Sequence, residues 1–136
     1  MNAFDVALME AGVSEQNLVA VSSVLPEGIV KTEKKPLTMG AVTHCVLSQM
    51  RGYGGERISS GIAYTFRTDG MGGYVAEGHI HGSKEALEKE LGDKMKEMSR
   101  MRGKEFGEVH CIMESQVVPK GEFGCCMAAL VFSEYR

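Results

Sequence analysis

Two strand-forming runs, at about residues 57–67 and 73–81, are separated only by turn residues around Asp69 to Gly73, and this spacing constrains the fold most tightly. So short a connection returns a strand beside its neighbour in the antiparallel sense, because a parallel pair needs a crossover of roughly a dozen residues or more, usually helical. Further strand-like runs lie at about 17–25, 40–49, 107–118 and 122–133, with turn signals at Gly52 to Gly55 and at Lys120-Gly121. The pattern predicts two helices. In "NAFDVALMEAG", Asn2 can cap, Phe4, Ala7, Leu8 and Ala11 form an apolar stripe, and Gly12 stops the helix. In "SKEALEKELGDKMKEMSRMRG", Ser83 caps and Gly103 stops, and Leu87, Leu91, Met95 and Met98 recur at helical spacing. Glu85 with Lys89 and Glu90 with Lys94 stand four apart as exposed pairs on that helix. One early and one late helix cannot supply the crossovers of a parallel sheet. The predicted class is therefore α+β, with mainly antiparallel sheets stacked face to face and helices outside.

A chain of 136 residues makes one domain, 1–136, with a single sizeable core. Its net charge of −3 lacks the concentrated basic face that a nucleic acid or an anionic membrane would require. The best basic cluster, Lys31 with Lys34 and Lys35, is interrupted by Glu33 and reads as a solvated loop. No apolar stretch approaches about 18 residues and no signal-peptide pattern opens the chain, which predicts a cytoplasmic protein. Cys45, Cys111, Cys125 and Cys126 show no CxxC spacing and read as small buried hydrophobes in a reducing compartment.

The run "NLVAVSSVLP", residues 17–26, carries a chemical possibility. A hydroxyl that follows a peptide carbonyl on a constrained backbone can attack that carbonyl, form an ester and eliminate across its own Cα–Cβ bond. For Ser23 this would cut the chain after Ser22 and leave dehydroalanine, which hydrolyses to a pyruvoyl group able to act covalently on an amine. Ser59-Ser60 is an internal control, since it also lies in a strand-like run. Context separates the two pairs: Ser22-Ser23 stands just before Pro26 and Gly28, where a strand must end and the backbone can bend.

Three segments taken together resemble the pyruvoyl-dependent arginine decarboxylases. "NAFDVALMEAGVSEQNLVAVSSVLP" is similar to that family's processing region, "GGYVAEGHIHG" to its glycine-rich run leading to a glutamate, and "GEFGCCMAALVFSEY" to its final alanine-rich strand. Their order and spacing agree across nearly the whole chain. The resemblance implies an αββα sandwich, a homotrimer with active sites between subunits, and cleavage between residues 22 and 23 into a short chain (1–22) and a long one (23–136). It implies an enzyme that converts L-arginine to agmatine and CO2 through a Schiff base on a pyruvoyl cofactor derived from Ser23. By position, Ser22 supplies the attacked carbonyl, Glu77 returns a proton to the α-carbon, Asn17 lines the pocket, and Asp5 pairs with the guanidinium as a bidentate carboxylate.

Each role has a plainer competitor. Asp5 falls three residues after Asn2, where an acidic side chain favours the positive helix end. Asn17 can bond a loop backbone. Glu77, His79 and His81 alternate along a strand and could bind a divalent metal. A metal-dependent small enzyme using those three residues and a non-catalytic paralogue are therefore the rival readings. The family pattern also places a segment with a strand ahead of the capped helix, whereas this sequence opens on the helix, which touches edge pairing and assembly but no matched site residue.

Overall fold

In the computed structural model, which describes residues 2–133, the chain forms helix α1 (Ala3–Ala11), strands β1 (Asn17–Ala20), β2 (Val24–Leu25), β3 (Val42–Tyr53), β4 (Arg57–Phe66) and β5 (Gly73–Ile80), helix α2 (Lys84–Arg102), and strands β6 (His110–Val117) and β7 (Phe123–Val131). Both helices begin and end where their capping residues stand. Asn2 Oδ1 accepts the Asp5 N–H at 2.9 Å and Ser83 Oγ accepts the Ala86 N–H at 3.1 Å, while Gly12 and Gly103 take the left-handed conformation that closes each C-terminus. On α2, Lys94 pairs with Glu90 as its spacing predicts, but Lys89 reaches forward to Asp93, at 3.3 Å, rather than back to Glu85.

The strands form two sheets, β1-β3-β7 and β2-β5-β4-β6. Leu25, Val46, Ile62, Tyr64, Val75 and Ala128 meet between them as the main core. Leu87, Leu91 and Met95 of α2 bury against Ala63 and Ala76 on the outer face of the four-stranded sheet. Helix α1 lies on the outside of the other sheet, where the Arg51 guanidinium sits over the Phe4 ring. The layers are therefore α, β, β, α.

Two further features depart from the sequence reading. The run at 17–25 is not one strand: β1 belongs to one sheet and β2 to the other. In consequence β1 and β3 pair in parallel, Asn17 opposite Val42 through Ala20 opposite Cys45, with β2 and the loop to Ala41 serving as the crossover in place of a helix. Of the cysteines, Cys45 and Cys126 are buried as expected and Cys125 is half-buried, but Cys111 is exposed on β6, an edge strand of its sheet. Glu134 and Tyr135, the end of the third matched segment, lie outside the described residues.

Candidate active site

Residues 21–23 carry the chain from one sheet to the other, and both ends of this crossing are pinned. The Val21 N–H donates to the Cys45 carbonyl on β3 at 2.9 Å, and the Ser23 carbonyl accepts the Val75 N–H of β5 at 2.8 Å. The Ser22-Ser23 peptide hangs between these two anchors. Ser22 is exposed and Ser23 half-buried, and among the described residues no hydrogen bond holds either hydroxyl. Ser59 and Ser60 differ on every count. They sit fully buried in mid-strand, with Ser59 Oγ donating to the Gly82 carbonyl at 2.7 Å and Ser60 Oγ to Ser48 Oγ at 3.0 Å.

The crossing opens on a cleft of about 920 Å³. Val21 to Ser23 form one wall, Val75 to Glu77 the second, and the outer row of α2 from Ala86 to Arg102 the third. Ser22, Ser23 and Glu77 are thus brought together. Glu77 stands exposed on β5 beyond the last residue that β2 pairs, on the same strand face as the inward-pointing Val75.

Asp5 and Asn17 do not line this cleft. Asp5 lies in the first turn of α1 and is exposed, and its backbone N–H completes the helix cap. The Asn17 amide donates to the Gly40 carbonyl at 2.7 Å, at the far end of β1 from Ser22. Glu77 and His79 share a strand face, but His81 falls past the end of β5 and pairs with Glu56 at 3.3 Å. Among the described residues no group of three His, Cys, Asp or Glu side chains could hold a metal ion, so the metal reading has no donor set. Desolvation pushes the thiols of Cys45, Cys111, Cys125 and Cys126 above their ordinary pKa, and none of the four lines the cleft.

Sequence reasoning missed the contribution of α2 to the third wall. Lys94 donates from Nζ to the Glu77 carbonyl at 2.7 Å and lies 3.7 Å from Glu90. A Glu-Lys pair four apart looks like any solvated helix face. The available signal was Gly78 on the facing strand, which marks a close approach.

The layered fold defines the class first. The chain is similar to a solved pyruvoyl-dependent histidine decarboxylase determined at pH 8, with a TM-score of 0.60 and 13% identity, over 81% of this chain and 58% of that one. At that identity the likeness speaks to the fold, which is that of a pyruvoyl-dependent decarboxylase. Residues 1–136 match the pyruvoyl-dependent arginine decarboxylase family (PvlArgDC), and the chain belongs to that family. Relatives named pyruvoyl-dependent arginine decarboxylase include those of Methanothermobacter thermautotrophicus, 32% identical over 97% of this chain and 86% of that protein, and of Methanopyrus kandleri, 31% identical over 96% and 85%. The non-catalytic alternative finds no support among them.

Proposed function

We propose that this chain cuts itself between Ser22 and Ser23 and then decarboxylates L-arginine to agmatine. The observation that carries the reading is the doubly pinned crossing. A peptide held at both ends by backbone bonds to different sheets cannot relax away from an attacking neighbour, and proximity of that kind removes much of the entropic barrier. Ser23 Oγ adds to the Ser22 carbonyl carbon as the Ser22–Ser23 C–N bond breaks, giving an ester and a free amine. Loss of a proton from the Ser23 Cα then expels the Ser22 carboxylate, which ends the chain 1–22. The dehydroalanine left at residue 23 takes up water and releases ammonia, leaving a ketone at the head of the chain 23–136.

The cleft fits the group so formed, because residue 23 and Glu77 both line it. The pyruvoyl ketone supplies the electron sink for loss of CO2 from an amino acid. Glu77 holds the proton that is returned to the substrate's α-carbon. Asp5 and Asn17 act from a neighbouring protomer of a homotrimer in the cytoplasm, with Asp5 as the partner of the guanidinium. An uncovered edge supports this assembly: Asn17 stands opposite Val42, which is 64% exposed, and Val19 on the same strand is 41% exposed. The choice of arginine rests on the relatives' names across nearly the whole chain.

Intact-mass spectrometry on purified protein tests the proposal. Two chains should appear, residues 1–22 and residues 23–136, the second beginning with a ketone and therefore silent to Edman degradation. Ser23→Ala protein should stay whole and inactive. Cleavage of Ser23→Ala at the same bond would remove Ser23 as the nucleophile.

A further inference from the structure

β2 is two residues long and pairs only with Gly73 and Tyr74, so β5 runs on past it as an open edge. The first polar group beyond, the Val75 N–H, is taken by the Ser23 carbonyl. Two residues on, at the same phase of the strand, the Glu77 carbonyl is taken by a side chain, Lys94 Nζ, at 2.7 Å. An ammonium on a carbonyl is a charge-assisted bond and fixes an edge better than water would. Lys94 is itself steadied by Glu90, whose Oε1 lies 3.7 Å away and whose Oε2 is buried without a hydrogen-bond partner. The helix reaches this edge because residue 78 is glycine. A Cβ there would lie 3.0 Å from Leu87 and 3.2 Å from Leu91, with Glu90 Oε2 just beyond at 3.6 Å.

We infer that Lys94, steadied by Glu90, is a positioning residue for the decarboxylation step: it holds the open edge of β5 so that the Glu77 carboxyl stays beside residue 23. The inference rests on the role proposed above for Glu77. Lys94 lines the cleft but spends its ammonium on the Glu77 main chain and not on the Glu77 carboxyl, so a positioning effect must pass through Glu77.

The test is a double-mutant cycle on the cleaved enzyme, with rates normalised to ketone content titrated by a hydrazine. Lys94→Met should lower kcat for arginine about 10-fold with KM unchanged, on the scale of a modest misplacement of a catalytic group. Lys94→Arg, which can still donate to the carbonyl, should recover to within about 3-fold of wild type. In a Glu77→Gln background, Lys94→Met should change the residual rate less than about 2-fold, since the group it positions is gone. An equal loss in both backgrounds, or none in either, overturns the inference. Should Lys94→Met not accumulate as cleaved protein, Glu90→Gln carries the test: a kcat loss of about 3-fold that disappears in Glu77→Gln is expected, and a silent Glu90→Gln overturns it. Normal turnover by Glu77→Gln would instead overturn the role of Glu77 and the inference with it, whereas a strong Glu77 effect beside silent α2 variants overturns the inference alone.

Discussion

Two serine pairs with the same sequence have opposite surroundings, and the difference lies in what each hydroxyl is already bonded to. Ser59 and Ser60 spend their hydroxyls on Gly82 and Ser48, so neither is free to attack its neighbour. Turn residues after Ser22-Ser23 were visible in the sequence; the backbone bonds to Cys45 and Val75 were not, because they join residues more than 20 apart. Glu77 was singled out through its segment, and it lines the cleft. Lys94 was not, because its partner is a main-chain carbonyl that no residue type announces. Glu77→Gln should leave cleavage intact and reduce arginine decarboxylation about 10²- to 10⁴-fold, the range for one acid–base group; near-normal agmatine production by the cleaved variant would refute the role. For Asp5 two outcomes separate cleanly. As the guanidinium anchor, Asp5→Asn weakens arginine by roughly 2–5 kcal/mol. As a helix-end charge it alters stability by only roughly 0.3–1 kcal/mol and leaves substrate choice alone. The kcat/KM ratio of arginine to citrulline in wild type and Asp5→Asn decides, and an unchanged ratio would sink the anchor.

Among the elements, the helices were readable to the residue because capping chemistry is local, whereas the split of the run at 17–25 was not. An apolar stretch records burial without recording which sheet does the burying. The interface of α2 with β5 gives a graded prediction. A Cβ at Gly78 meets flexible leucine ends at 3.0 and 3.2 Å, so Gly78→Ala should cost about 1–3 kcal/mol as the helix shifts. A Cβ at Gly73 would fall 2.1 Å from the Thr65 carbonyl oxygen, a backbone atom inside the β4–β5 ladder that cannot move aside. Gly73→Ala should therefore be the worse of the two, and reversed urea midpoints would contradict this account. In the turn between these strands, the Arg67 guanidinium holds the Asp69 carboxyl below its ordinary pKa, aided by the Met71 N–H. A depressed carboxylate stabilises above its unfolded pKa and ceases to do so as pH falls through the folded value. Acid loosening of this turn should thus begin below the unfolded carboxylate value of about 3.9. Asp69→Asn should flatten that limb of the pH profile, as hydrogen exchange at Met71 would report.

At the scale of the whole molecule, the layering followed from spacing alone, since short turns and two peripheral helices leave few other arrangements. The parallel β1-β3 pair did not, because its crossover is built from a strand borrowed by the other sheet. Cleavage at residue 22 would detach α1 and β1 covalently while leaving them in place. β1 stays hydrogen-bonded along β3, and Lys34 Nζ clasps the α1 C-terminus through the Ala11 carbonyl at 2.9 Å. The two chains should therefore co-elute on native gel filtration and separate only in denaturant; a short chain lost under native conditions would show these contacts to be insufficient.

Self-cutting at the crossing, as proposed, would also give the molecule a memory. The crossing's two pins come from strands of different sheets, so the peptide is held at both ends only after both sheets have formed and met. A cut chain is then a lasting mark that one particular molecule once reached its native arrangement, legible on a denaturing gel long after that molecule has unfolded. The mark cannot be made twice, for a chain that loses its shape after cutting has no peptide left with which to direct the return.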